Sequence, residues 1–220
     1  MNKNLFLILN LILFASMLNA QKIYVETGFE NAYFKGYLNN LGENTLDLDY
    51  SKSQMPFLET GFRFQLPNDR FSWNTGISYN TYKINTGFNS GKVSVPLTYE
   101  LAYVALKSGI SFSFINRRTF KMQAHVHLSA DWLTSGSSRY QNRINNLYKE
   151  RTLDRNLLRY HRGLSAIYTI SKKTSIYINY SIADSFKEKN NGSNPEEKYS
   201  LHTNAYSFGI HFTVQPSYSI

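Results

Sequence analysis

The stretch from Phe120 to Trp132 alternates without a break. Phe120, Met122, Ala124, Val126, Leu128, Ala130 and Trp132 are apolar, and Lys121, Gln123, His125, His127, Ser129 and Asp131 between them are polar. A period of two places each set on one face of a β-strand, because successive side chains point to opposite sides. A helix would scatter both sets around its axis. The same period predicts a strand near 23–34, where Ile23, Val25, Thr27 and Phe29 oppose Tyr24, Glu26, Gly28 and Glu30. Six more strands are predicted over 57–66, 71–83, 99–114, 157–170, 174–183 and 205–214. In the 157–170 segment, Arg159, His161 and Arg162 break the pattern and are expected to rise above any membrane.

The connections alternate in length. Pro67-Asn68-Asp69-Arg70, the stretch around Asn116-Arg117-Arg118 and Ser171-Lys172-Lys173 are short enough for tight turns. The links over 35–56, 84–98, 134–156 and 184–198 are long. Strict alternation puts every long loop at one end of the sheet and every turn, with both termini, at the other. Bacterial transmembrane barrels have this layout, with short periplasmic turns and longer extracellular loops. Only a closed barrel leaves no unpaired sheet edge in lipid. The expected fold is therefore all-β: an eight-stranded antiparallel up-and-down transmembrane barrel. Eight strands enclose a space that side chains can fill, which argues against a wide diffusive pore.

The N-terminus reads as an address. Lys3 supplies a positive start, Leu5 to Phe14 is apolar apart from Asn10, and Ser16 to Ala20 resembles a cleavage region ahead of Gln21. The apolar run is shorter than the roughly 20 residues a membrane-spanning helix needs. Residues 1–20 are thus expected to be a cleaved signal peptide, and 21–220 one barrel domain carried to the outer membrane. There is no Cys, which excludes disulfides, thiolate zinc sites, a thiol nucleophile and a lipidated N-terminal Cys. The net charge of +9 is dispersed along the chain, so no nucleic-acid stripe forms. It favours anionic outer-membrane lipid and lipopolysaccharide phosphates as partners. Mean hydropathy is only −0.40, as expected when lipid-facing and interior residues average out.

A secreted lipocalin-like barrel would alternate too, but with its apolar face around a ligand. Two features favour polar-inside. The polar face carries small residues such as Gly61, Gly76, Gly109, Gly163 and Gly209, which suit a crowded interior. Its charges are few and of both signs, whereas a soluble surface would be richer in Lys and Glu. Glu59, Arg63, Lys107, His125, His127 and Asp131, with Glu26, are expected to form a network in the lumen. Trp73, Trp132, Tyr79, Tyr168, Tyr180 and Phe212 are candidates for the aromatic girdles.

The export signal ending Asn19-Ala20-Gln21, the stretch from Tyr99 to Leu133, and Tyr206-Ser207-Phe208-Gly209-Ile210-His211-Phe212 resemble the small outer-membrane β-barrel proteins of Bacteroidetes, the PorT-like family. The resemblance covers nearly the whole chain after residue 20 as a pattern and implies a barrel with a structural or binding role, in reach of an envelope or secretion assembly. Where such barrels close on an aromatic residue, Phe212 here is followed by eight more residues. The pair His127-x-Ser129 resembles the base and nucleophile of outer-membrane lipid A deacylases, with Asp131 available to orient the His. In that family the site faces lipid, whereas this pair shares the polar face, so a non-enzymatic chain without cofactor is the expectation. A metal held by His125, His127, Asp131 and His211 would need ligands from two strands; packing is the simpler role. Arg139, Arg143, Lys149, Arg151 and Arg155, in the third long loop, are candidate lipopolysaccharide contacts, because Arg forks suit phosphate. Lys187 to Lys198 reads as a loop with no site.

Overall fold

Alternation becomes a closed wall in the computed structural model, which describes residues 21–38, 46, 48–49, 52–90, 93–140, 143–150, 155–186 and 198–214. The expected signal peptide, the cleavage site, most of the loop after Phe186 and residues 215–220 lie outside the described residues. The strands are β1 (Gln21–Leu38), β2 (Leu48–Asp49), β3 (Gln54–Gln65), β4 (Phe71–Ser90), β5 (Val93–Asn116), β6 (Phe120–Tyr140), β7 (Arg143–Asn146), β8 (Asn156–Thr169), β9 (Thr174–Ser185) and β10 (Lys198–Thr213). A single helical turn, α1 (Leu147–Glu150), follows β7. Every pairing is antiparallel. The order β4-β3-β1-β10-β9-β8-β6-β5 closes on itself through β4–β5, so eight long strands form a ring. The short β2 and β7 pair with β4 and β6 outside that path.

The decisive question was which face points outward. Phe62, Leu128 and Ile178 are 46%, 52% and 65% exposed, while Glu59, His127 and Asp131 on the alternate face are buried. Hydrophobic residues therefore coat the outside and polar ones fill the inside, the reverse of a lipocalin-like barrel. Trp73, Trp132, Tyr79, Tyr168 and Phe212 all stand on the outer surface. The Trp73 indole donates to Ser108 Oγ at 2.7 Å, which fixes its ring against the wall.

Three expectations need correction. First, 84–98 is no loop. The β4–β5 ladder runs on to the pair Ser90–Val93, so only residues 91–92 connect the two strands. The third long link also carries β7 and α1 rather than irregular chain alone. Second, Arg159 and His161 do not break the alternation. They keep the inward parity of Leu157 and Gly163, and only Arg162 faces outward. Third, the interior is not polar throughout. Towards the long connections an apolar core fills it, built from Tyr82, Ile84, Leu101, Tyr103, Leu133, Leu157, Leu201 and Leu147 of α1.

That core coincides with an inversion on the outer surface. Along β4 the outward residues run Trp73, Ile77 and Tyr79, then change to Thr81 and Lys83. The inward ones run Ser72, Asn74, Ser78 and Asn80, then change to Tyr82 and Ile84. On β5 the outward Leu106 and Val104 give way to Glu100, and the inward Lys107 to Tyr103 and Leu101. Lys83 and Glu100 pair on the outside at 3.3 Å. Both strands thus change which of their faces is apolar, as a change of solvent along the barrel would require.

Candidate functional site

The lumen holds the polar groups that the alternation collects, and a closed ring forces them to satisfy one another. An unpaired buried polar group costs more than a made hydrogen bond gains. Nearest the turns, Arg63 donates to Ser72 Oγ at 2.8 Å and to Gln123 Oε1, and Gln123 donates to Ser113 Oγ at 2.6 Å. The next layer is centred on two carboxylates. Glu59 forms an ion pair with Lys107 and accepts the Tyr24 hydroxyl at 2.7 Å. Glu26 accepts from Tyr177 at 2.8 Å, Asn179 at 3.0 Å and Ser207 at 2.6 Å. His125 and His127 stack with ring centroids 4.9 Å apart, and His127 Nε2 lies 3.2 Å from Asn74 Nδ2.

Above these lies a second charged layer. Asp131 and Arg159 pair at 3.2 Å and are each only 1% exposed. Arg159 also donates to the Tyr82 hydroxyl and to Thr203 Oγ1, both at 2.6 Å. Ser129 donates to Asp131 at 2.5 Å and lies 2.8 Å from His161 Nε2. Tyr82 then joins two environments: its hydroxyl serves Arg159 while its ring packs in the apolar core.

Close packing needs positions without side chains. A Cβ on Gly209 would sit 2.4 Å from the Tyr177 ring, and one on Gly76 would sit 2.3 Å from the Tyr24 hydroxyl. These glycines make room for the two tyrosines that serve Glu26 and Glu59. The space left is small. Cavities of about 40 and 30 Å³ flank the Lys107–Glu59 pair, enough for a few waters each and too little for a solute.

All six residues expected in the lumen network are inside: Glu59, Arg63, Lys107, His125 and His127 line one cavity, and Asp131 lies apart from it. Arg63 belongs to the lowest layer, Glu59 and Lys107 to the middle with the stacked histidines, and Asp131 to the upper layer. Sequence reading missed Arg159 as the partner of Asp131, and missed Tyr24, Tyr177 and Tyr82 as hydroxyl donors or acceptors. Asp131 lies opposite Leu157 in the ladder and meets Arg159 on the diagonal, so the partner follows from strand register.

The deacylase-like arrangement does not assemble as read from the sequence. His127 bonds with Asn74, while Ser129 turns to Asp131 and His161. Ser129 Oγ donates to the Asp131 carboxylate and lies within hydrogen-bond distance of His161 rather than of His127, and the hydroxyl is buried away from the outer surface. Among the described residues no group of three or more His, Asp or Glu is placed to hold a metal. His211 stacks on Tyr177 instead, with centroids 4.3 Å apart.

The loop cations are dispersed. Arg139 shares a face with its ladder partner Ile144, so the next residue, Arg143, faces the opposite side beside Tyr140. Lys149 is exposed on α1. Arg155 donates to the Tyr148 carbonyl at 2.8 Å, lies over that ring at 4.7 Å and so braces α1. Arg151 lies outside the described residues.

Ring closure and outward apolar belt together settle the architecture. The fold is that of a transmembrane β-barrel. Neisserial surface protein A is similar to this chain over 88% of its length and 97% of the neisserial chain, with 8% identity and a TM-score of 0.50. The outer membrane protein OprG from Pseudomonas aeruginosa is matched over 89% of this chain and 98% of its own, with 10% identity and a TM-score of 0.48. Ail, the attachment invasion locus protein of Yersinia pestis, is matched over 88% and 99%, with 11% identity and a TM-score of 0.42. At 8% identity the likeness to the neisserial protein is one of fold. No protein-family model and no curated protein sequence matches the chain.

Proposed function

We propose that this chain is an integral outer-membrane barrel with a structural or binding role, and that it neither catalyses a reaction nor conducts solutes. The observation that carries this reading is the inversion along β4 and β5. The outer wall turns from apolar to charged where the interior turns from polar to apolar. Such a wall suits hydrocarbon on one side of the change and water on the other. The filled lumen argues against a pore, and the buried Ser129 against an enzyme.

In this reading the export signal over 1–20 is removed and the long connections stand outside the cell. They form the binding surface, with Arg139, Arg143 and Lys149 within reach of lipopolysaccharide phosphates. The resemblance to PorT-like barrels of Bacteroidetes adds an envelope or secretion assembly as the setting. Membrane fractionation with heat-modifiable gel migration tests the first part, and a protein recovered in the soluble periplasm rejects it. Reconstituted vesicles should show no solute flux. Mass spectrometry of lipid A from cells carrying the wild type or Ser129→Ala should show the same acylation, and a Ser129-dependent loss of an acyl chain would make the protein an enzyme.

A further inference from the structure

We propose that the outward wall of β8, β9 and β10 binds one phosphate-bearing lipid, with Arg162 as the head-group ligand and the groove at Ala166 as the seat of an acyl chain. This rests on the barrel standing in the outer membrane.

Arg162 is out of pattern. It faces outward between Leu158 and Leu164 on its own strand and beside Val126 on β6, and all three are more than half exposed to the surroundings. A charge on the lipid face of a barrel is unfavourable unless something answers it, and an ionisable residue there marks a site with a partner. The chain supplies only part of the answer. Arg162 Nη2 lies 3.6 Å from Asp184 Oδ2, and the guanidinium lies 5.6 Å from the Tyr160 ring centre. Asp184 is already engaged, since its other oxygen is 2.6 Å from His202 Nδ1. Arg162 remains half exposed. Its planar fork has donors left for a bidentate acceptor, which phosphate matches.

The charge around this point is also unbalanced towards the positive. His202 packs against Tyr33 with centroids 4.6 Å apart, and Lys52 Nζ sits 4.7 Å over the same Tyr33 ring. Lys35 follows Tyr33 on the same outward face of β1. Arg162 pairs with Asp184, and Lys35 and Lys52 add two more cations on the neighbouring surface around Tyr33.

The same strands carry an apolar groove of about 500 Å³, lined by Ala166, Tyr168, Ile176, Ile178, Phe208 and Ile210. Ala166 creates it, as a methyl where its outward neighbours are Leu164 and Tyr168. It lies four residues along β8 from Arg162, roughly 13 Å at a strand's rise. Since β8 runs from the long connections towards the turns, the cation is uppermost and the groove beneath it. A lipid of the outer leaflet stands the same way, phosphate up and chains down.

The test uses the full barrel folded in mild detergent, titrated with bis-phosphorylated lipid A and, separately, with its dephosphorylated form, and read by native mass spectrometry. One lipid A should be retained, with the dephosphorylated form held at least tenfold more weakly. Arg162→Leu should lower lipid A affinity at least tenfold, Ala166→Trp should lower it for both forms by filling the groove, and Lys83→Leu, on the outer wall of β4, should change nothing. Leucine suits a lipid-facing position, and heat-modifiable migration verifies that each variant is folded. Equal retention by Arg162→Leu, an equal loss in Lys83→Leu, or a lipid-free dimer that Arg162→Leu dissolves would each overturn the site. A chain that stays soluble without detergent would instead overturn the membrane reading beneath it.

Discussion

Towards the turns, the interior is held by charge: Arg63, Glu26, Glu59, Lys107, Asp131 and Arg159 each find partners from neighbouring strands. Towards the long connections, Tyr82, Ile84, Leu101, Tyr103, Leu133 and Leu201 fill the same ring with almost no charge. The outer surface differs in the opposite sense, with Ile77 and Leu106 below and Lys83 and Glu100 above. The comparison teaches that solvent, rather than strand geometry, decides what a barrel puts inside. Where the surroundings are apolar, the interior takes every polar group the chain must carry. Where they are water, the interior becomes an ordinary hydrophobic core.

The two halves should fail differently. Asp131→Ala strands the Arg159 guanidinium in the lumen and should cost about 4 kcal/mol of stability, measured by reversible urea unfolding in lipid vesicles. The double variant Asp131→Leu with Arg159→Met should recover most of that loss. A double variant as damaged as the single one would show that the pair is not the unit that matters. In the apolar half, Leu201→Ala should cost about 3 kcal/mol through the cavity it leaves, with no partner able to rescue it. Tyr82→Phe sits on the boundary. It keeps the ring in the core and removes one acceptor from Arg159, so about 1–2 kcal/mol should go. Lys83→Ala, on the watery side of the outer wall, should change stability by less than about 0.5 kcal/mol, because an exposed pair is screened. If that last change proved as costly as Asp131→Ala, the two outer environments would not differ as described.

Much of this was legible from residue order. The period of two located all eight ring strands, because side-chain parity is fixed by the backbone, and the small residues and few, mixed charges of the polar face marked it as the inner one. The period could not locate where the surroundings change. From Tyr99 to Ala105 the chain reads Tyr-Glu-Leu-Ala-Tyr-Val-Ala, and apolar residues fall on both parities there. There the inward Tyr99, Leu101 and Tyr103 join the apolar core while Val104 still faces outward, so alternation of hydrophobicity fades and marks no boundary. Arg159, His161 and Arg162 looked like a break because three basic residues crowd into four positions. The parity never broke; two of them are inside and one is outside. Over 84–98, Thr86, Asn89 and Ser94 resemble loop residues although they continue a paired hairpin. In the site, the polar face was readable, but the pairings were not. Arg159 with Asp131 and Tyr177 with Glu26 depend on register between strands, which no single strand encodes.

The outward position of the apolar face is the claim on which the rest depends, and the absence of Cys makes it directly measurable. Single spin-labelled cysteines at positions 124 to 130 of β6, in a barrel reconstituted in vesicles, can be relaxed by oxygen, which partitions into lipid. Labels replacing Val126, Leu128 and Ala130 should relax fast, and those replacing His125, His127 and Ser129 slowly, giving an oscillation with a period of two. The opposite phase, with the histidine and serine positions open to oxygen and the Leu128 position shielded, would contradict the account.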